Sequence, residues 1–280
     1  MNNVLDLFKN VTVDHKNLLS VQDEQFGKDV EKAYSEKIST LSGILDTLKK
    51  SANPVIYPAS YNGYKYTFDY MNLIGTTEKE IAITLESFVG AVTSYFRNEY
   101  NVSVKADGRE TSRFVDENVA HPENVNFDII FEKFVFEKLG GLNFKEKAIK
   151  EIKDNCRANF QYNKGEIKKN TIEVSSFFWI DSFLHQYYNQ AEIRYDSKVR
   201  LYDLMNAIAL FDESAEANIT WFKSAVNNGK NEAIIRVHDL GDKILSIRLF
   251  KNGKIILKFN TSENCRLFYE EYCIYRKENR

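Results

Sequence analysis

The sequence predicts an α+β protein with a mostly helical N-terminal part and a mixed or antiparallel sheet in the C-terminal half. Apolar residues recur at helical intervals over long stretches before residue 160, whereas alternating strand patterns concentrate after it. Helices and strands do not alternate regularly, which argues against a doubly wound parallel sheet. The 280 residues are 43% hydrophobic and 14% aromatic, which is enough to build a packed core.

The first predicted element is a helix over residues 14–50, or a helical pair broken near Gly27, because apolar residues recur there at roughly helical spacing. Two of the three prolines of the chain lie in residues 51–63 and disfavour helix at the residue before each of them. This segment therefore predicts a linker. The alternation over Tyr64–Tyr70 predicts a short strand.

The pairing of Thr77 with Glu80 matches a capping box and predicts a helix that runs to about Glu99. Residues 102–105 predict a short strand. Residues 106–124 predict an exposed loop, because their charges are scattered and turn-forming residues are frequent.

Two more helices are predicted over Val125–Leu139 and Lys145–Arg157, and a pair of glycines stops the first of them. Residues 160–174 then predict two strands joined by a turn at Asn163–Gly165. Further along, the aromatic segment 177–188 predicts a helix, although its composition also suits a strand.

The C-terminal elements begin with helices over Lys198–Phe211 and Glu216–Asn227. A strand is predicted over Ala233–His238, and a closing helix is predicted over residues 262–277. Between them lies the sharpest pattern in the chain, at Lys243–Asn260.

Residues Lys243–Asn260 read KILSIRLFKNGKIILKFN and predict a β-hairpin around Asn252 and Gly253. A two-residue loop would place Lys258 among apolar neighbours. A three-residue loop with Gly253 in a left-handed bulge is favoured because it aligns six apolar residues on one face. These residues are Leu245, Ile247, Leu249, Ile255, Leu257 and Phe259. The opposite face is then basic.

The predicted organisation has three parts: an N-terminal helical segment over residues 1–55, a central α+β region over residues 56–222, and the hairpin with the closing helix over residues 223–280. The last part could also pack with the central region as one domain. No internal repeat is evident at the spacing of solenoid proteins.

Charge is distributed unevenly along the chain. The whole chain carries 38 basic and 40 acidic residues, so its overall balance does not mark a nucleic-acid or membrane-surface protein. Residues 223–280, however, contain twelve basic and seven acidic residues, net +5, which leaves 26 basic and 33 acidic residues, net −7, before them. A polyanion is therefore expected to meet the C-terminal end.

The three cysteines, Cys156, Cys265 and Cys273, provide no disulfide framework in a chain of this length. We expect them to be core thiols in a reducing compartment. The start of the chain lacks the pattern of a signal peptide, and no apolar run approaches the roughly 18–20 residues that span a bilayer. The expected location is the cytoplasm of a bacterial cell, with no membrane partner.

The candidate nucleic-acid-binding residues lie on and around the basic face of the hairpin. They are Lys243, Arg248, Lys251, Lys254 and Lys258. Strand alternation aligns three of these charges, and cations in such an array neutralise phosphates. The alternative is an ordinary solvated sheet face.

A weaker candidate is a magnesium-dependent nuclease centre at Asp154, Glu166 and Lys168. Two carboxylates and a lysine in this order match the residues with which restriction-type nucleases hold Mg²⁺ and stabilise charge at a phosphate. The alternative is a charged helix end followed by a solvated turn. Asp181 and His185, four residues apart, could likewise form an acid–base pair or a simple hydrogen bond.

Aromatic residues are dense in the segment 177–188, and a single helix face could not bury all of them. The candidate interface residues there are Trp179, Phe183, Tyr187 and Tyr188, because tryptophan and tyrosine are enriched where subunits meet. Helix amphipathicity favours the other interpretation, a central element packed on several sides. No phosphate-binding loop, dinucleotide fingerprint or nucleophile elbow is present, and no cofactor or metal site is predicted.

Several segments of the C-terminal half resemble a known family. They are Phe160–Gly165, Ile167–Val174, Leu201–Leu204, Leu249–Lys254 and Leu257–Phe259. Their order is similar to that in a bacterial family of uncharacterised domains that are carried by phages, plasmids and other mobile elements, some beside or fused to DNA methyltransferases. The resemblance covers roughly residues 125–275, although a tryptophan expected near Phe160 is absent. It implies mobile-element biology and conflict with host defence, and it transfers no catalytic residue.

The expected function is that of a non-catalytic accessory protein of a phage or mobile element, acting by binding. A host-defence protein, or a second copy of the chain, is the expected partner. One alternative is a nucleic-acid-binding companion of a DNA methyltransferase that uses the basic hairpin face. The other alternative is the magnesium-dependent nuclease.

Overall fold

The computed structural model describes residues 18–51, 70–104, 106–161, 165–181, 192–227 and 237–274. The chain divides into two compact units, Met1–Ala148 and Ile149–Arg280. The divisions predicted from the sequence lay after residues 55 and 222. That prediction left open whether residues 223–280 pack with the central region as one domain. In the structure, the hairpin and the closing helix share a unit with the residues from Ile149 onward.

The first unit is built from helices. They are α1 (Val21–Ser51), α2 (Tyr70–Tyr100), α3 (Gly108–Asn118), a 3-10 turn (Pro122–Asn124), α4 (Phe127–Phe131), a π-helical segment (Glu132–Phe136) and α5 (Glu137–Leu139). The division between the units falls inside α6 (Phe144–Asn159). The core of the first unit is rich in phenylalanine, with rings from α2, α4 and α6 in mutual contact.

Helices α1 and α2 pack antiparallel along their length. Tyr34 of α1 stacks on Phe88 of α2 with ring centroids 4.3 Å apart, and Lys49 pairs with Glu78 at 3.0 Å. A single helix, Val21–Ser51, therefore covers most of the segment 14–50 for which one helix or a broken pair was predicted, starting later than predicted, and Gly27 lies inside it. The predicted linker lies outside the described residues apart from its first residue.

A buried carboxylate fixes the start of α1. Asp23 accepts a hydrogen bond from the Ser20 backbone N–H at 2.7 Å, and its own N–H donates to Ser20 Oγ at 3.2 Å, which completes a capping box. The hydroxyls of Tyr95 and Tyr100 on α2 donate to the same carboxylate. The pKa of Tyr100 is raised to about 12, mainly because the hydroxyl is buried and, to a smaller extent, because it donates a hydrogen bond to Asp23.

Replacing Gly27 by alanine is expected to destabilise the first unit by about 1–3 kcal/mol, because a Cβ there would lie 2.8 Å from the Phe127 ring. The same change at Gly43 of α1 meets nothing within 4 Å and should stabilise the helix by up to about 1 kcal/mol. Thermal melts followed by circular dichroism at 222 nm would measure both. Equal effects at the two positions would contradict the packing of Phe127 on Gly27.

The predicted start of α2 is wrong. The helix begins at Tyr70, and Thr77 lies inside it, where its hydroxyl donates to the Leu73 carbonyl at 2.8 Å. A threonine inside a helix commonly satisfies its hydroxyl in this way, so the capping-box pattern was coincidental. The strand predicted before this helix lies outside the described residues except for Tyr70.

The loop predicted over residues 106–124 is also wrong, because residues Gly108–Asn118 form α3. Asp107 caps this helix by accepting from the Arg109 N–H at 3.1 Å. Phe114 and Val115 of α3 are buried in the core of the unit. Residues 102–104 form no strand, which corrects that prediction over its described part.

The next two predicted helices are confirmed. The segment from Phe127 to Leu139 is helical, with one π-helical turn inside it, and it ends at Gly140 in the left-handed conformation at φ +64°. Helix α6 then follows at Phe144–Asn159. Asn126 caps α4 by accepting from the Ile129 N–H at 3.0 Å.

The second unit contains a five-stranded antiparallel sheet, the C-terminal part of α6 and, among its described residues, three further α-helices. Its strands are β1 (Glu166–Lys168), β2 (Thr171–Val174), β3 (Val237–Asp239), β4 (Ile244–Leu249) and β5 (Ile255–Phe259), in the spatial order β1-β2-β5-β4-β3. The helices are α7 (Tyr195–Phe211), α8 (Glu216–Asn227) and α9 (Ser262–Phe268), and a π-helical segment (Tyr269–Cys273) follows α9. The α+β prediction with its hairpin and closing helix is confirmed.

Strands β1 and β2 form a hairpin with a two-residue loop at Lys169 and Asn170, where Lys169 has φ +55°. The sequence placed the turn earlier, at Asn163–Gly165. That position is wrong because strand pairing begins only at Glu166, directly after the predicted turn.

The β4–β5 hairpin has the predicted three-residue loop. The Phe250 N–H donates to the Lys254 carbonyl at 3.0 Å, and Gly253 has φ +79°. Glycine is required at this position, because a Cβ there would lie 2.0 Å from the Phe178 carbonyl oxygen.

The predicted inner face is right for five of its six apolar residues and wrong for Leu245, which is 38% exposed. The strand pairing shifts between Ile244 and Ser246, so Leu245 is the extra residue of a bulge and Ile244 takes its place in the core. The bulge lies where the Asp212 carboxylate accepts the N–H groups of Lys243 and Ile244, at 2.6 and 2.8 Å.

The segment predicted as a helix over residues 177–188 is not helical over its described part. Phe177 and Phe178 are buried, and the Phe177 N–H donates to the Gly253 carbonyl at 2.8 Å. Ile180 then forms an isolated bridge with Ile193. The remaining residues of this segment, from Ser182 onward, lie outside the described residues.

The predictions for α7, α8 and the burial of the three cysteines are confirmed. Helices α7 and α8 match their predicted ranges within a few residues, and all three cysteines are buried and unbonded to one another. Burial raises the pKa of the Cys273 thiol. Within the described part of the chain, none of the helices has the length and apolar character needed to cross a membrane.

Candidate nucleic-acid interface

The sheet of the second unit has one buried face and one face open to solvent. The buried face packs Ile172, Ile247 and Leu257 into the core. On the open face, strand pairing aligns side chains in rows across the strands. One row contains Glu166, Glu173, Ile256, Arg248 and Val237, and the next contains Lys168, Thr171, Lys258, Ser246 and Asp239. All of these side chains are exposed or half-buried.

The two central strands carry the basic part of the open face. We call this part the central strip and define it as Ser246, Arg248, Phe250, Lys254, Ile256 and Lys258. It contains three cations and no carboxylate. The carboxylates of the open face lie on the neighbouring strands, at Glu166 and Glu173 on one side and at Asp239 on the other.

Phe250 lies between two cations of the central strip. The guanidinium carbon of Arg248 is 4.6 Å from the centroid of the Phe250 ring, and Lys254 Nζ is 5.8 Å from it. The ring is half-buried, so part of it faces solvent. An aromatic ring flanked by cations provides a stacking surface and positive charge at the same place.

Glu173 neutralises part of the positive charge on the open face. Its Oε2 accepts from Lys168 Nζ and from Lys254 Nζ, each at 2.9 Å. Both hydrogen bonds lower the pKa of Glu173, and the one from Lys168 has the larger effect. Among the described residues, no carboxylate is in ion-pairing contact with Arg248 or Lys258, so these two cations are the best placed to bind an external anion.

The other two candidate cations differ in their surroundings. Lys243 Nζ donates to the Phe211 carbonyl at 2.9 Å and lies 5.3 Å from the Phe211 ring centroid, so it is held at the end of α7. Lys251 is exposed in the hairpin loop, next to Phe250 at the end of the central strip. Lys243 therefore has a structural contact at the end of α7, and Lys251 is an exposed residue adjacent to the strip.

The nuclease candidates are engaged in ordinary ion pairs. Asp154 on α6 accepts from Arg157 Nη1 at 3.2 Å, and Lys168 pairs with Glu173 as well as with Glu166, the latter at 3.6 Å. The described residues contain no group of three or more histidine, cysteine or acidic side chains able to hold a metal. The magnesium-dependent nuclease therefore stays a prediction, while Lys168 lies on the open face of the sheet.

Of the candidate aromatic interface, only Trp179 lies among the described residues, since Phe183, Tyr187 and Tyr188 fall outside them. Trp179 is 40% exposed, and the Arg200 guanidinium lies 4.7 Å from its ring centroid. The suggested partner of Asp181, His185, also lies outside the described residues.

Sequence reasoning missed the contribution of β1 and β2 to the open face. Glu173 reaches Lys254 only because β2 pairs with β5, and these two strands are about 80 residues apart in the chain. The alternation in Thr171–Val174 indicated a strand with one polar face, but it did not indicate which strand lies beside it.

Removing the Glu173 charge is expected to tighten nucleic-acid binding. Glu173→Gln frees the ammonium groups of Lys168 and Lys254 for phosphate, so the affinity for a single-stranded oligonucleotide should rise roughly 3- to 10-fold at low salt. Titration of a labelled oligonucleotide by fluorescence anisotropy measures this change. Glu263→Gln on α9, an exposed site outside the two rows of the open face, is the matched control. Equal or weaker binding by the Glu173 variant would contradict this arrangement.

Comparison of the chain with models of protein families, with curated proteins and with solved structures found no match. The resemblance to the mobile-element family therefore stays a prediction, and a function for this chain has to be inferred from its own residues.

Proposed function

We propose that this protein acts by binding nucleic acid on the central strip. The observation that carries the proposal is the placement of Phe250 between Arg248 and Lys254, with Lys258 further along the same face and no carboxylate on either central strand. Cations supply the affinity for phosphates, and the ring supplies a surface for a base. The role is that of a binding protein without a catalytic centre of its own.

The location of the strip agrees with the charge of the chain. The C-terminal residues 223–280 carry net +5 in a chain of net −2, and the two central strands lie within them. A polyanion is therefore attracted to this end of the chain and repelled by the acidic remainder. Such an arrangement orients the ligand without a large overall positive charge.

Salt dependence tests the proposal. A contact with three or four phosphates of a single strand predicts a slope of log affinity against log salt of roughly −2 to −3, which is a loss of about 20- to 50-fold between 50 and 200 mM salt. Anisotropy titrations of a labelled twelve-nucleotide strand at several salt concentrations measure it. No binding at 50 mM salt, or binding that does not depend on salt, would contradict the proposal.

A protein partner is a second candidate, favoured by the exposed side chains near the start of α7. Trp179 is 40% exposed, Tyr195 is 84% exposed and Val199 is 46% exposed. Exposed aromatic residues beside arginine are typical of protein interfaces. The expected host-defence partner, or a second copy of the chain, would be retained by the tagged protein after nuclease treatment and lost in Trp179→Ala. Retention that is unchanged by this substitution would exclude this surface.

A further inference from the structure

We infer that the central strip selects single-stranded over double-stranded nucleic acid and that Phe250 stacks on an unpaired base. This inference rests on the proposed function and names the substrate class of the same surface. Three features of the open face support it: the width of the basic strip, the position of the flanking carboxylates, and the half-buried ring of Phe250.

The basic strip is only two strands wide. Neighbouring strands lie about 4.8 Å apart, so the five strands span roughly 19 Å. A sheet of that width cannot enter the minor groove of a duplex, which is about 6 Å across. The strip can instead accommodate one phosphate chain along β4 and β5, where Lys254 and Lys258 are four residues, or about 13 Å, apart.

The flanking carboxylates disfavour a second phosphate chain. Glu173 lies on the strand beside β5, and Asp239 lies on the strand beside β4. A duplex laid on the strip across its major groove, about 12 Å wide, would bring its other backbone over these outer strands. On the outer strands the two rows carry three carboxylates, Glu166, Glu173 and Asp239, against the single cation Lys168, so this part of the face is net negative even with Glu173 ion-paired. It would therefore repel the second backbone of a duplex more than it repels a single strand on β4 and β5.

Phe250 adds a requirement that a duplex cannot meet. Base pairs in a duplex are stacked on one another, so a ring on a flat sheet face reaches no base surface without unstacking them. In a single strand the bases are free to stack on an aromatic side chain, as they do on other sheet surfaces that bind single strands. The half-buried ring of Phe250 is held by Arg248, which keeps it in place for such a contact.

The test compares labelled oligothymidylate of twelve nucleotides with its duplex, using the whole chain. We expect the single strand to bind at least about tenfold more tightly. Phe250→Leu keeps an apolar side chain but loses the ring, so it should weaken single-strand binding about tenfold or more and leave duplex binding unchanged, whereas Phe250→Tyr should retain the affinity.

Equal or tighter binding of the duplex, or a Phe250→Leu variant that binds the single strand as well as the original chain, would overturn this inference while leaving nucleic-acid binding intact. Failure of both probes to bind at 50 mM salt would overturn the proposed function itself. The two failures are therefore distinguishable in one series of titrations.

Discussion

Replacing Arg248 and Lys258 together by glutamate is expected to abolish retention of the chain on immobilised single-stranded DNA. Both cations are exposed on the central strip, and no described carboxylate pairs with either of them. The double substitution removes two phosphate contacts and places two negative charges against the backbone. The loss of affinity should be at least about 100-fold at 50 mM salt, measured by anisotropy.

The matched control is the double substitution Lys28→Glu and Lys37→Glu on α1. It changes the net charge by the same amount, and both side chains are exposed on the first unit. Its affinity should fall only slightly, through the long-range field of the chain. Equal losses in the two double variants would show that overall charge, and not the central strip, governs binding.

Replacing Asp212 by alanine is expected to destabilise the second unit by about 3 kcal/mol. Asp212 is 2% exposed and accepts hydrogen bonds from the Lys243 and Ile244 N–H groups and from the Ser214 hydroxyl, the last at 2.7 Å. Truncation leaves buried donors unsatisfied at the start of β4. Asp242→Ala, at an exposed neighbouring carboxylate, is the control and should have little effect.

Tryptophan fluorescence during urea unfolding measures the stability of the second unit, which contains Asp212. The two tryptophans of the chain, Trp179 and Trp221, both belong to the unit Ile149–Arg280. Their signal therefore reports the unfolding of that unit separately from the helical unit. A shift of the urea midpoint no larger than that of the control would contradict the structural role of Asp212.

The stabilising effect of Asp212 should also depend on pH. Burial raises the pKa of this carboxyl, but the hydrogen bonds from Ser214, Ile244 and Lys243 outweigh it and lower the pKa overall. Because the folded pKa lies below the unfolded value of about 3.9, the stabilisation is complete above that value and is lost as the pH falls through the folded pKa. The difference in unfolding free energy between the original chain and Asp212→Ala should thus be constant from pH 6 to 8 and shrink below about pH 4.

Local sequence patterns predicted the central hairpin well. The alternation on both sides of Asn252 and Gly253 specified the three-residue loop and the face of each residue up to Ile247. The prediction failed at Leu245, because the bulge depends on Asp212, a residue about 30 positions earlier that binds the backbone at Lys243 and Ile244. A contact between distant segments cannot be read from the periodicity of one strand.

Helix α3 shows how an available signal was misinterpreted. Asp107 and Glu110 match an N-cap followed by an acidic residue in the first turn, and Phe114 with Val115 provides an apolar face. The many charges of this segment suggested an exposed loop instead. The charges lie on the solvent side of a short helix, where they are compatible with a buried opposite face.

The candidate site was partly predictable. Arg248, Phe250, Lys254 and Lys258 share one face because strands alternate, and this follows from the sequence alone. The sequence does not predict that carboxylates flank the strip, because their position depends on the order of the strands in the sheet, which places β2 beside β5. The specificity inferred for single strands depends on these flanking carboxylates.

Photo-crosslinking tests the central claim most directly. The chain would be irradiated with a single-stranded oligonucleotide that carries 5-iodouracil, and the crosslinked residues would be identified by mass spectrometry. The structure predicts crosslinks within residues 246–258, with Phe250 the principal site and Phe250→Leu reducing the yield. Crosslinks confined to residues 18–148, or an equal yield at many sites across both units, would contradict the assignment of the central strip as the binding surface.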